Sequence, residues 1–274
     1  MIVNPIEKWT GRVLLVLVLV LTVIPLLNMV SAALQPADVN PTGLAWPSDP
    51  QWGNFVEAFN TGHVWELLGS SALVVLGVVP VSLIVASLAG YALGGIRMRG
   101  SRALLVLFIL GLTIPFEAII IPLYYEMQSL NVLNTQWAII LPLIGLFMPF
   151  SVFWMRAHFV GVPEELAEAA RMDGAGMWQE LRHIQLPLAR PALSALAILL
   201  FLWTWNQFLL PVVLVSDPLQ RTVAGALTFF QGQYSLSIPL LNAGALIIIL
   251  PTILIFVIFQ RQFIKALIQG AVKG

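Results

Sequence analysis

Pro163–Pro191 reads PEELAEAARMDGAGMWQELRHIQLPLARP, a long polar interval between two apolar stretches of the chain. It holds five of the thirteen acids: Glu164, Glu165, Glu168, Asp173 and Glu180. Pro163 suits a first helical turn, where its missing N–H costs nothing. Glu164, Glu165 and Glu168 then lie near the positive end of the helix dipole, and Arg171 near its negative end. Leu166, Ala169 and Ala170 share one side at spacings of three and four, and the two alanines keep that side thin enough for a partner groove to approach the backbone. Asp173-Gly174 predicts a stop, since Gly takes the left-handed conformation freely. A second short helix is expected from Gly176 to about His183, with Pro187 and Pro191 ending it. The stretch reads as a docking loop that carries movement from a soluble partner into the helices on either side.

Those neighbours are membrane helices. Of 274 residues, 59% are hydrophobic and 9% charged, and the mean hydropathy is +0.92. Soluble domains carry about 25% charged residues, so the solvent for this much apolar surface is lipid. Apolar intervals at 13–34, 67–95, 103–125, 136–158, 191–214 and 239–259 predict six spans. The first follows a head with Lys8 and Arg12 and exceeds the apolar core of a signal peptide, about 7–15 residues, so it is expected to stay as a helix. Between the first two spans, Gln35 to Trp65 is expected to be a loop, broken by Pro36, Pro41, Pro47 and Pro50 and free of Lys and Arg. Alternating the spans puts twelve of the thirteen Lys and Arg on the side of both termini and Arg221 alone on the other. The positive-inside rule then predicts cytoplasmic termini.

Most spans contain proline, and two readings stand: neighbours re-satisfy the freed carbonyls, or the bends serve gating. With no Cys, disulfides, thiol catalysis and thiolate metal sites are excluded. Zero net charge argues against a nucleic-acid surface. No Gly-rich phosphate loop is present, so this chain does not hold nucleotide phosphates that way. His63, His158 and His183 lie far apart, match no metal spacing and read as surface or interfacial residues; no catalytic site and no metal site is expected.

Glu117 falls inside the third interval. A strongly polar side chain at a helix centre costs about 2.5–3.5 kcal/mol, so it is a functional candidate. At 1.5 Å per residue from Ala103 it lies roughly 20 Å up, and Trp205, Asn206 and Gln207 reach a similar rise along the fifth interval. Trp rings stack on sugars and amides bond hydroxyls, so the two groups read as a polar patch facing a cavity. The alternative places Glu117 at the outer water layer and makes Asn206 a link between helices.

EAARMDGA (168–175) followed by IQLP (184–187) resembles the EAA loop of binding-protein-dependent ABC importer permeases: Glu-Ala-Ala, then Gly, then Ile-x-Leu-Pro at the family's spacing. Leu181 stands where the family commonly has Phe. WNQFLLPVVL (205–214), TVAGALTFFQGQY (222–234), Ala243-Gly244 and QRQFIKALIQGAVKG (260–274) look like the maltose-type carbohydrate branch, over about residues 66 to 274. The resemblance implies an all-α membrane protein of six transmembrane helices with the type I importer fold and a cytoplasmic coupling helix. It implies residues 1–65 as first helix and extracytoplasmic loop, 66–263 as permease core with the EAA loop at 161–191, and 264–274 as a cytoplasmic tail. It also implies a second related permease, a dimeric ATPase that binds ATP and Mg, an extracytoplasmic binding protein and a sugar cargo, all in a bacterial inner membrane. This chain would bind no cofactor and hydrolyse nothing. Glu165, Glu168, Ala169, Ala170, Asp173, Gly174, Ala175, Ile184, Leu186 and Pro187 would couple to the ATPase, and the tail residues Lys273 and Gly274 would touch it. Two alternatives stay open: the same machinery moving a polyol or glycerol phosphate, or a secondary transporter acting alone. Against the last, no internal repeat and a single interior acid are found.

Overall fold

The architecture is that of a computed structural model, which describes residues 5–96, 98, 100–230 and 237–271. Every regular element among the described residues is helical. Among the described residues, four helices are long and apolar enough to cross a bilayer unaided: Lys8–Ala33, Val64–Gly94, Trp137–Val160 and Ile238–Arg261. Two bent pairs raise the number to six if each counts as one span. The chain forms two compact units, Met1–Trp65 with Ala226–Leu250, and Glu66–Gly225 with Pro251–Gly274.

In the first unit, helix α1 (Pro5–Ala33) is apolar all round and exposed over most of its length, as a lipid-facing helix must be. Its C-terminal carbonyls are capped by a side chain. Asn54, buried, donates from Nδ2 to Ala33 O at 2.8 Å and to Gln35 O at 2.7 Å. Asn54 sits on a nine-residue helix, α2 (Gly53–Thr61), inside the stretch expected to be loop. The four prolines all precede α2, which leaves Gly53–Thr61 free to coil.

The second unit is built along helix α3 (Val64–Gly94) and, beyond it, α6 (Trp137–Val160). One end of α6 packs Ile139, Ile140 and Leu143 with Val74 and Val78 of α3. Its other end packs Val152, Met155 and Phe159 with Ala86, Tyr91 and Leu93. Glycines on α3 permit the close approach that membrane helices need, since lipid supplies no hydrophobic drive between them. A Cβ at Gly77 would lie 2.8 Å from Ile140 Cδ1, one at Gly90 2.7 Å from Met155 Cβ, and one at Gly94 2.9 Å from the Arg156 carbonyl oxygen.

Between α3 and α6, the expected span at 103–125 is not one helix. α4 (Ser101–Thr113) and α5 (Ile120–Ser129) are joined through a short 3-10 turn, Phe116–Ile119, and bend by 94°. Pro115 is the cause. A residue before proline is pushed out of the helical region, and Ile114 is extended at ψ 118°.

After α6 come α7 (Glu164–Met172) and α8 (Met177–Glu180), then a π turn (Leu181–Gln185), α9 (Leu186–Leu188) and α10 (Arg190–Trp205). Met177–Leu188 turns into α10 by 72°. The fifth expected span, 191–214, is also interrupted: α10 ends at Trp205 and α11 (Leu209–Leu214) follows. Asn206 closes α10 with its own amide, donating to Leu202 O at 2.8 Å. The last helix, α12 (Ile238–Ala271), continues through residues assigned above to a separate tail.

The α3–α6 contact makes a direct prediction. Gly90→Ala forces α3 away from α6 and should cost about 1–3 kcal/mol. Gly69→Ala, on the same helix with nothing within 4 Å, should be neutral or slightly stabilising. Thermal unfolding of both variants in detergent checks this.

Candidate functional site

The polar interval folds as an elbow of two short helices. Glu164 and Glu165 occupy the first turn of α7 and Arg171 the last, so the charges match the helix dipole. Pro163 sits one position earlier than expected, as the N-cap in an extended conformation. The faces also differ from the expectation. Ala167 and Ala170 are buried, while Leu166 and Ala169 are exposed. Ala170 therefore does not share an outward side with Leu166 and Ala169. A helix leaving α6 through the three-residue link Gly161–Pro163 must turn one stripe inward, and small residues allow it to lie close.

α7 ends in a Schellman motif. Ala175 N donates to Ala170 O at 2.9 Å, Gly174 N donates to Arg171 O at 3.0 Å, and Gly174 is left-handed at φ 82°. Asp173-Gly174 does stop the helix. Gly176 opens α8, its N–H donating to Gln179 Oε1 at 2.8 Å. The second helix continues past His183 to Leu188. Pro187 does not end it, because the π turn widens the backbone ahead of the proline ring. Asp173, Gly174, Ala175, Gln179, His183 and Ile184 line a shallow depression of about 230 Å³.

Three large apolar side chains stand out as highly exposed on this elbow. Met172 is 88% exposed, Met177 63% and Trp178 62%. Outside an apolar span, exposed apolar side chains of this size are candidates for a contact surface, and Met adapts to irregular partners. The sequence reading did not single them out, although large apolar residues flanking a Gly-rich turn were the available signal.

Glu180 is the other residue that the sequence reading counted without giving it a role. It is 1% exposed. Tyr91 donates from its hydroxyl to Glu180 Oε1 at 2.9 Å, Arg171 from Nε to Oε2 at 3.2 Å, and Gln185 from Nε2 to Oε1 at 3.4 Å. A buried carboxylate survives only when its charge and lone pairs are met. Here the counter-charge comes from α7, the hydroxyl from α3 and the amide from the π turn. Tyr91 is fixed in turn by an edge contact with Phe159 of α6, with ring centroids 5.7 Å apart.

The expected coupling residues therefore divide. Glu165, Glu168, Ala169, Asp173, Gly174 and Pro187 are exposed, Ala175, Ile184 and Leu186 are half-buried, and Ala170 is buried. Lys273 and Gly274 lie outside the described residues. Glu117 is exposed in the turn after Pro115, not inside a continuous helix. Trp205 is buried and stacks on Phe201 at 5.4 Å, while Asn206 is exposed at the helix end and Gln207 accepts from Thr222 Oγ1 at 2.6 Å through its backbone oxygen. Of the three neighbours, Trp205 is buried, Gln207 half-buried and Asn206 exposed.

The family described as "Binding-protein-dependent transport system inner membrane component" matches residues 82–269, a range that contains the whole elbow. This chain belongs to that family. The inner-membrane component is 34% identical to the arabinooligosaccharides transport system permease protein AraQ of Halalkalibacterium halodurans, over 99% of this chain and 98% of that one. It is 30% identical to the trehalose transport system permease protein SugB of Mycobacterium tuberculosis, over 92% of each. Its fold is similar to a chain in the crystal structure of a bacterial ABC transporter involved in the import of the acidic polysaccharide alginate, with a TM-score of 0.78, 22% identity and coverage of 96% and 98%. An inner-membrane component of this kind works as a transport subunit, and its apolar helices agree with a multi-pass placement.

The Schellman turn gives a prediction for this component. Gly174→Pro removes the N–H that caps Arg171 and forbids the positive φ. It should abolish most transport while the protein still reaches the membrane. Gly174→Ala should cost only about 1 kcal/mol and leave partial transport. Uptake normalised to membrane-inserted protein distinguishes them.

Proposed function

We propose that this chain is one of two related permease subunits of an ATP-driven sugar importer. The elbow docks on a separate ATPase dimer, which binds ATP and Mg, and an extracytoplasmic binding protein delivers the cargo at the opposite face. One observation carries the reading: Met172, Met177 and Trp178 are exposed on an elbow that is pinned to α3 through a buried acid. A surface patch alone would serve adhesion. A patch fixed to a membrane helix can transmit a push. Glu165, Glu168, Asp173 and Gly174 are exposed on the same elbow and orient the dock in this proposal.

The carbohydrate cargo is supported by the relatives, whose names speak of arabinooligosaccharides, diacetylchitobiose and trehalose. The basic bias supports a cytoplasmic elbow and cytoplasmic termini. Closure of the ATPase biases a bundle with two arrangements, and this chain supplies half of the pathway. Glu117 and Asn206 are candidates to face that pathway, both exposed beside breaks in their spans. Tail residues Lys273 and Gly274 belong to the same proposal as a second ATPase contact.

The test is reconstitution. Liposomes holding this chain with its partner permease, ATPase and binding protein should take up sugar only with ATP and Mg, and the chain alone should take up none. Uptake by the chain alone would overturn the proposal. In the working assembly, Glu117→Ala and Asn206→Ala should each change uptake rate or apparent affinity by about fivefold, the scale of one polar contact. Two unchanged profiles would remove these residues from the pathway.

A further inference from the structure

The turn between α7 and α8 is a natural hinge. It contains Gly174 and Gly176, one left-handed and one extended, and both are exposed. A push on α7 would be absorbed there unless something bridged the turn. Arg171 and Glu180 bridge it, one from the last turn of α7 and the other from α8. The same carboxylate takes the Tyr91 hydroxyl of α3 and the Gln185 amide of the π turn. Three elements therefore meet on one buried group. The π turn leads in turn to Ala189 and α10, where Ala192 O accepts from Trp154 Nε1 of α6 at 3.0 Å.

We propose that Glu180 is a positioning residue, the pin of a latch with Arg171 and Tyr91 that locks the two-glycine turn so that α7, α8 and the end of α3 move as one piece. The proposal rests on the coupling reading above. Its consequence is specific. With the latch broken, docking and ATP hydrolysis continue, but the push is lost in the turn. Each ATP then moves less cargo. A purely structural Glu180 would behave differently, since its loss would lower hydrolysis and transport together.

The experiment uses the native complex, purified through a tag on this chain and reconstituted with binding protein. The cargo is whichever labelled sugar the wild type takes up from a panel of di- and oligosaccharides. Sugar moved per ATP hydrolysed is compared for wild type, Tyr91→Phe, Glu180→Gln and the double variant. Tyr91→Phe keeps the ring on Phe159, and Glu180→Gln keeps the shape while removing the charge that holds Arg171. The expected result is a ratio lowered about tenfold in each single variant, the scale of a lost bond to a charged group, with hydrolysis near wild type. The double variant should be no worse than the singles, because both cut the same link. An unchanged ratio in both singles, or a parallel fall of hydrolysis and transport in the mild Tyr91→Phe, overturns the latch. A wild-type complex that moves no sugar with ATP overturns the importer reading itself, and so separates the two failures.

Discussion

A carboxylate with 1% of its surface exposed, beside the membrane helices of this chain, is a tightly constrained group. Burying a lone charge costs far more than a single hydrogen bond returns, so Glu180 must have its partners in place. Those partners come from three different elements. Arg171 is 55% exposed at its side chain, so water screens that pair and it acts more as an anchor than as a source of stability. Tyr91 is the stricter partner, buried and held by Phe159. Satisfying one acid therefore fixes the position of α7, the register of α8 and the end of α3 together.

The same economy of contact runs along α6. Its two ends hold separate apolar clusters, and α3 reaches both through positions where only glycine leaves room. Close backbone contact replaces the hydrophobic drive that lipid does not supply. The breaks fall elsewhere, at Pro115 and after Trp205. Both put polar residues, Glu117 and Asn206, at points where a helix is interrupted. Irregular backbone at membrane depth is tolerated only against protein or water, which is why these two positions remain of interest for a pathway.

Much of this was legible in the amino-acid sequence. The caps, the Asp173-Gly174 stop and the apolar stretches follow from local rules that act within a few residues. Helix α1, α3, α6 and α12 were accordingly recognisable as apolar helices. The break at Pro115 was less so, because proline inside an apolar run is compatible with a bend or with none. The inward turn of Ala170 depends on the angle at which α7 leaves α6, which no local pattern records. Glu180 was the least visible. Its partners Tyr91 and Arg171 lie 89 and 9 residues away across a glycine turn, and only the fold brings them together.

Whether the elbow and α3 behave as one rigid piece is open to a single distance measurement. The chain has no native Cys, so spin labels go only where they are placed. One label at Leu166 and one at Leu88 sit on exposed positions of α7 and α3, away from Met172, Met177 and Trp178. In the assembly proposed above, pulsed spin-label spectroscopy would compare the nucleotide-free and ATP-trapped states, under conditions in which the elbow shifts against a label on the proposed partner permease. A pinned elbow gives the same sharp Leu166–Leu88 distance in both states. A distance that shifts or broadens when ATP binds would contradict the pinned elbow and place the movement in the turn instead.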